Sequence, residues 1–294
     1  MKKITLIIVL LCISAFAISQ HALLPRPAHI IIVIEENHGL KDIIRSPFAP
    51  YINRLSKEGA LFTNSHGILH PSQPNYIALF SGSTQGVAGD NCLLKESPLT
   101  TSNLGAALIK ARYTFTGFAE TMPSAGFTGC SFEKSKLTNG ALYARKHCPW
   151  VNWQGPGENN FPDSIGQTLT EFPKNFNKLP TVAFLIPNQD NDMHNGNGDS
   201  TMIKRADDWL KVHIEKYVKW AKNNNSLLIV TFDEDNFTLE NHIPTIFVGP
   251  MVKRGKYNDL INHYNVLRTI EAMYNLPASG TANETPIKNV WKKK

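Results

Sequence analysis

Four stretches of the chain are apolar at nearly every position and rich in β-branched residues: Ala28–Ile34, Thr181–Ile186, Ser226–Phe232 and Ile243–Val248. Unbroken apolar runs of this length are the pattern of strands buried on both faces of a sheet. Tyr113–Phe118 reads as a further strand. Between them the period lengthens towards 3.6. The clearest helix spans residues 201–223, with Ile203, Ala206, Leu210, Ile214, Tyr217 and Val218 along one face. His213 on that helix reads as a surface or packing histidine. Shorter helices are predicted at Asn53–Glu58, after Ser72, at Ser102–Arg112, and from the capping Asn262 to Asn275. Apolar strands alternating with helices predict an α/β fold, a three-layer sandwich with a mostly parallel central sheet. No repeat or linker divides residues 21–294, which are read as one domain.

Residues 83–163 interrupt this regularity. Gly86, Gly89, Asp90 and Cys92 mark a first loop, and Glu120–Asp163 is rich in Gly, Pro, Asn and aromatics. A loop this long in a compact domain is usually functional, or hides elements that the sequence pattern misses. It is read as an insertion that folds over one edge of the sheet, carrying Glu120, Arg145, Lys146 and His147.

Composition narrows the setting. The 294 residues are 42% apolar, enough for a substantial core. Residues 1–20 have the form of a secretory leader: Lys2 and Lys3, then the apolar Ile4–Ile13, then the small-residue stretch Ser14–Ala17. The expected location is therefore secreted or periplasmic. The apolar run is too short for a membrane span and no second candidate follows, so no integral membrane association is expected. The net charge of +6 contains no basic run interleaved with aromatics, which argues against a nucleic-acid partner. A mildly basic surface would attract phosphorylated substrates. Beyond the leader three cysteines remain: Cys92, Cys130 and Cys148. Their spacing fits no zinc ribbon or finger and does not dictate a pairing. Cys92 and Cys130 lie in Gly-bearing loops, so a bridge between them is expected, with Cys148 free.

The candidate chemistry lies where the elements end. In open α/β sheets ligands bind at the C-terminal ends of the strands. The first strand ends in Glu35-Glu36-Asn37-His38, the Thr181 strand in Asn188–His194, and the Ser226 strand in Asp233-Glu234-Asp235-Asn236. Carboxylates gathered at one edge repel one another unless a cation holds them. Residues 190–201 fail the EF-hand pattern, because Asn195 stands at the glycine position and Thr201 at the closing glutamate. Ser72 lies between Pro71 and Pro74, at the start of a helix whose free N–H groups favour an anion. Ser72 can be an ordinary cap or a nucleophile.

The set Glu35-Glu36-Asn37-His38, His70-Pro71-Ser72-Gln73-Pro74-Asn75-Tyr76, Asp190-x-x-x-His194, Asp233-Glu234 and His242 resembles the phosphoesterase family of the alkaline phosphatase superfamily. That family includes secreted bacterial acid phosphatases, phosphatidylinositol phosphate phosphatases and phospholipases C. The resemblance implies Ser72 as covalent nucleophile, with Glu36, Asn37, Asp233 and Glu234 holding the metal that activates it. It implies Asp190, His194 and His242 as ligands of a second metal, with His263 the competing histidine. Glu234 in place of the histidine common in relatives, and Glu36-Asn37 in place of a single aspartate, make the first site richer in oxygen. One or two divalent ions are expected, from Mg²⁺, Mn²⁺, Ca²⁺ or Zn²⁺. His70, His147 or Glu120 would protonate the leaving group, and Asn75 and Glu120 are expected to contact substrate. His38 and His66 receive no role.

The expected activity is that of a metal-dependent acid phosphatase acting through a phosphoserine, on a phosphorylated small molecule or a phospholipid head group. A phospholipase C or other phosphodiesterase is the alternative within the family. A non-catalytic cation-dependent binding protein would be expected to have lost the serine or several ligands. The sulfatase setting is absent, because Tyr76 stands where C/S-x-P-x-R requires arginine. Oligomeric state is not legible.

Overall fold

The computed structural model describes residues 24–93, 98–280 and 283–293, so the expected leader lies outside the described residues. The chain builds a nine-stranded sheet. Its members are β1 (His29–Glu35), β2 (Ala60–His66), β3 (Phe115–Ala119), β6 (Gly166–Thr168), β7 (Val182–Ile186), β8 (Ser226–Phe232), β9 (His242–Val248), β10 (Gly255–Tyr257) and β11 (Ile261–Asn262). The spatial order is β10-β2-β9-β8-β1-β7-β3-β6, with β11 also against β2. From β8 to β6 every pairing is parallel. Only β9 runs the other way, antiparallel to both β8 and β2.

The continuous apolar runs are explained by burial on both sides. Along β1, Ile30, Ile32 and Ile34 join one core, and Ile31 and Val33 join the other. The first core is covered by α3 (Ser72–Ser81), α4 (Leu104–Lys110) and α6 (His263–Met273). The second is covered by α1 (Leu40–Ile43), α2 (Pro50–Glu58) and α5 (Asp199–Ala221). Asn262 caps α6 through the N–H groups of Tyr264 and Asn265, as its sequence position suggests. Asn103, not Ser102, caps α4 by accepting from Ala106.

The irregular stretch holds more structure than its sequence predicts. A short hairpin, β4 (Ser131–Lys134) with β5 (Ala141–Ala144), is followed by tight turns at Arg145–His147 and Pro149–Trp153. Cys92 and Cys130 form a disulfide across it, and Cys148 is a free, buried thiol. Trp150 seats the segment on the sheet. Its indole lies so close to Gly117 of β3 that a Cβ there would come within 2.2 Å of the ring. Among the described residues no helix is long and apolar enough to cross a membrane.

Candidate active site

Three neighbouring strands deliver their ends to one place, and backbone bonds knit the ends together. The Glu36 N–H donates to the Asp192 carbonyl at 2.8 Å, and Asp233 N–H donates to the Glu35 carbonyl at 3.0 Å. Asn37 turns with φ +45°, and its N–H reaches Asp233 Oδ1 at 3.2 Å. Glu36, Asp192, Asp233 and Glu234 are thereby carried to one buried spot at the C-terminal edge of the parallel strands.

Ser72 enters from the side as the first residue of α3, a helix buried at every position. The turn before it is held by Asn75, whose Oδ1 accepts from the N–H groups of Ile68 and Leu69 and whose Nδ2 donates to the Leu69 and Pro71 carbonyls. Ser72 Oγ lies 3.0 Å from Glu36 Oε2 and 3.1 Å from Glu234 Oε1. One hydroxyl proton can satisfy only one of these oxygens at a time. Tyr76, one turn along α3, donates to Glu36 Oε1 at 2.5 Å. His70 Nδ1 meets the other oxygen of Glu234.

On the far side of Glu36 stands His147. Its Nε2 is 3.0 Å from Glu36 Oε1 and its Nδ1 is 3.5 Å from Asp192 Oδ2. Glu36, His147 and Asp192 each offer a ligand atom within 4.8 Å of the others. His147 Nε2, Asp192 Oδ2, Asp233 Oδ2 and Asn37 Oδ1 are buried without a hydrogen-bond partner. Burial, with Lys146 and His194 nearby, holds the His147 imidazole well below the usual range, so it is neutral with a lone pair to give. Burial and the charge of Glu36 push Asp192 and Asp233 well above the ordinary carboxylate range. Burial, with Glu36 nearby, pushes Glu234 up to about 7 against the hydrogen bond from His70. Four carboxylates out of water and several orphaned donor atoms suit a divalent cation. Glu36 is shared by two donor sets, His147 with Asp192 on one side, and Ser72 with Asp233 and Glu234 on the other.

A positive charge approaches from the insertion. Lys146 Nζ pairs with Asp90 Oδ2 at 2.6 Å. Burial opposes its charge, but Glu36, Asp90 and Asp233 outweigh it and raise its pKa. Asp90 Oδ1 also accepts from Gln73 N–H at 2.9 Å, so one of the free amides at the start of α3 is already engaged.

A family model of phosphoesterases matches residues 45–277. The chain belongs to the phosphoesterase family. Among curated relatives, it is 46% identical over 271 residues to a phosphatidylinositol-3-phosphatase of Mycobacterium tuberculosis, an alignment covering 91% of this chain and 84% of that one. It is 30% identical over 237 residues to a phosphate-repressible acid phosphatase of Penicillium chrysogenum, covering 78% of this chain and 55% of the relative. This phosphoesterase therefore spans most of the mycobacterial protein and about half of the fungal one. It is a phosphoric ester hydrolase. A solved alkaline phosphatase superfamily protein of Vibrio parahaemolyticus matches the fold with TM-score 0.61 at 16% identity, covering 90% of this chain and 71% of that one. The phosphonate monoester hydrolase of Agrobacterium radiobacter matches with TM-score 0.55 at 14% identity, covering 91% and 79%.

The phosphoesterase fold brings Glu36, Asn37, Ser72, Asp233 and Glu234 together, as the motifs imply. The second ligand set needs correction. Asp190 turns away: its Oδ1 accepts from Ser135 Oγ at 2.6 Å and from Asn195 Nδ2 at 2.9 Å. Asp192, two residues on, is the carboxylate that enters the cluster, its backbone tied beside Glu36 by the Glu36 N–H bond to its carbonyl. His194 stands beside the cluster, its ring 5.9 Å from that of His147, with its N–H on Asp192 Oδ1. His242 directs Nε2 to the Thr63 carbonyl at 2.9 Å and stacks on His66. His263 gives Nε2 to the Asp233 carbonyl at 2.6 Å. Neither is in the cluster.

The expected substrate contacts are also reassigned. The side-chain amide of Asn75 is spent on the turn before Ser72. Glu120 Oε2 accepts from Asn188 N–H and Asn191 Nδ2, both at 2.9 Å, and so supports the loop that carries Asp192. His147, buried and neutral, suits a ligand better than a proton donor. Tyr76 and Lys146 belong to the site although sequence gave Tyr76 no separate role and placed Lys146 only in the covering loop.

Proposed function

We propose that this phosphoesterase hydrolyses phosphate monoesters through a phosphoseryl intermediate on Ser72. The observation that carries the reading is the Ser72 hydroxyl, at the first position of a buried helix, facing carboxylates from two different strand ends. Glu234 Oε1, 3.1 Å from Oγ, is placed to take the Ser72 proton as Oγ bonds to phosphorus and the ester P–O bond breaks. The alkoxide departs on the side of phosphorus opposite Ser72 and takes its proton from solvent, while Glu234 keeps the serine proton for return to Oγ. Water then attacks phosphorus, releases phosphate and restores the hydroxyl. Tyr76 and His70 fix the orientation of Glu36 and Glu234 throughout, and Lys146 supplies positive charge for the phosphoryl oxygens. A divalent cation held by Glu36, Asn37, Asp233 and Glu234, or by Glu36, His147 and Asp192, would lower the serine pKa and offset phosphoryl charge.

The name of the mycobacterial relative supports an inositol lipid 3-phosphate as one substrate. The Cys92–Cys130 bridge supports export to an oxidising compartment. The test is a panel of p-nitrophenyl phosphate, phosphatidylinositol 3-phosphate and bis(p-nitrophenyl) phosphate, assayed before and after chelation. Monoester turnover that chelation removes and a divalent ion restores is expected. Preference for the diester would replace this reading with a phosphodiesterase.

A further inference from the structure

Within the segment joining β8 to β9, residues 235–241 start one residue after Glu234 and end one residue before His242. They carry two of the most exposed large apolar side chains among the described residues, Phe237 at 66% and Leu239 at 107%. Leu69, 41% exposed, lies in the turn before Ser72, and its carbonyl ties that turn to the segment by accepting from Asn241 Nδ2 at 3.1 Å. The segment is firmly built. Asp235 Oδ1 accepts from Thr238 N–H at 2.8 Å, Asn241 Oδ1 accepts from Asp235 N–H at 2.9 Å, and Gly67 N–H donates to the Asn241 carbonyl at 2.9 Å. Phe237 lies flat on the His70 ring, centroids 4.8 Å apart, and His70 bonds Glu234. Phe237 thus connects the exposed segment to the reaction centre through His70.

Exposed apolar side chains on an ordered loop beside a site mark a surface that meets something else. These side chains project from a loop tip, an arrangement suited to the boundary between head groups and acyl chains. Without the leader's Lys2 and Lys3, residues 21–294 carry a net charge of +4, complementary to an anionic leaflet. We propose that Leu69, Phe237 and Leu239 form a docking tip that seats the active-site rim on an anionic lipid surface. This rests on the monoesterase reading for the identity of the substrate, a phosphate ester standing at the lipid head-group level. Docking would bring Ser72 to that level without extracting the lipid.

The test is flotation with phosphatidylcholine vesicles containing phosphatidylserine, using the mature wild-type protein, Leu239→Ser and Leu239→Trp. Leu239 is fully exposed and no hydrogen bond, ring contact or ion pair of its side chain holds the site, so both variants should keep wild-type kcat/KM on p-nitrophenyl phosphate. Leu239→Ser should lower vesicle partitioning roughly fivefold to tenfold, and Leu239→Trp should keep or raise it. Wild-type protein that ignores vesicles, or Leu239→Ser that partitions equally, overturns the proposal. So does sedimentation showing a wild-type dimer that Leu239→Ser dissociates, which would give the tip to a second copy. Vesicle binding without monoester turnover would instead sink the catalytic reading and leave the docking tip standing.

Discussion

His147 Nε2 stands 3.0 Å from Glu36 Oε1, and the imidazole nitrogen has no hydrogen bond. A carboxylate already served by Tyr76 and a neutral imidazole converge here as two lone pairs. They are stable so close together when a cation bound to both lies beside them.

The first prediction follows from that pair. His147→Ala should weaken divalent-cation affinity by at least about tenfold, read by isothermal titration of chelator-stripped protein. Tyr76→Phe, which keeps the ring that stacks on His147, should weaken it less. Unchanged affinity in His147→Ala would remove the histidine from the metal centre.

The second concerns pH in the absence of metal. The Glu234 carboxyl rises from 4.5 to about 7 on folding, because burial and Glu36 disfavour its charge. Between those values the folded chain holds more protons than the unfolded chain, so stability falls as pH rises. Chelated protein should lose on the order of 2 kcal/mol between pH 5 and pH 8, and a divalent cation should restore it at pH 8. The check is Tm by calorimetry across that range. A Tm that rises with pH in the chelated protein would contradict the placement of these carboxylates.

Lys146 gives a third. Its ammonium is held charged by Glu36, Asp90 and Asp233 at the mouth of the site. Lys146→Ala should raise KM for a monoester about tenfold with a smaller change in kcat, and Lys146→Arg should recover part of the loss. Steady-state kinetics showing kcat falling with KM unchanged would assign Lys146 another task.

The sheet was legible because its central strands are apolar on both faces, which leaves few other places for Ile30–Ile34 or Leu227–Val230 to go. The edge strands β10 and β11 were not, because Gly255–Tyr257 and Ile261–Asn262 are short and partly exposed, with no apolar run to announce them. In the site, Glu36, Ser72, Asp233 and Glu234 were legible because each sits where an element begins or ends. Asp192 was hidden by its neighbour Asp190: spacing along a loop does not say which carboxylate turns inward, whereas Asp190 is held by Ser135 and Asn195 and the Asp192 backbone is tied to Glu36. His147 was a candidate from its place in the covering loop, but that stretch has no periodicity to set it beside Glu36 and Asp192; its stacking on Tyr76 and the packing of Trp150 on Gly117 accompany that position.

The central claim is that Ser72 carries the phosphoryl group. The most direct measurement is mass spectrometry of protein quenched in acid during turnover of a fast monoester, with the Ser72 peptide compared in wild type and Ser72→Ala. A phosphorylated Ser72 peptide is expected in the wild type, and in the folded variant no phosphopeptide and a kcat lower by several orders of magnitude. A variant retaining more than about a tenth of wild-type kcat, or a phosphoryl group found on another residue, would contradict it.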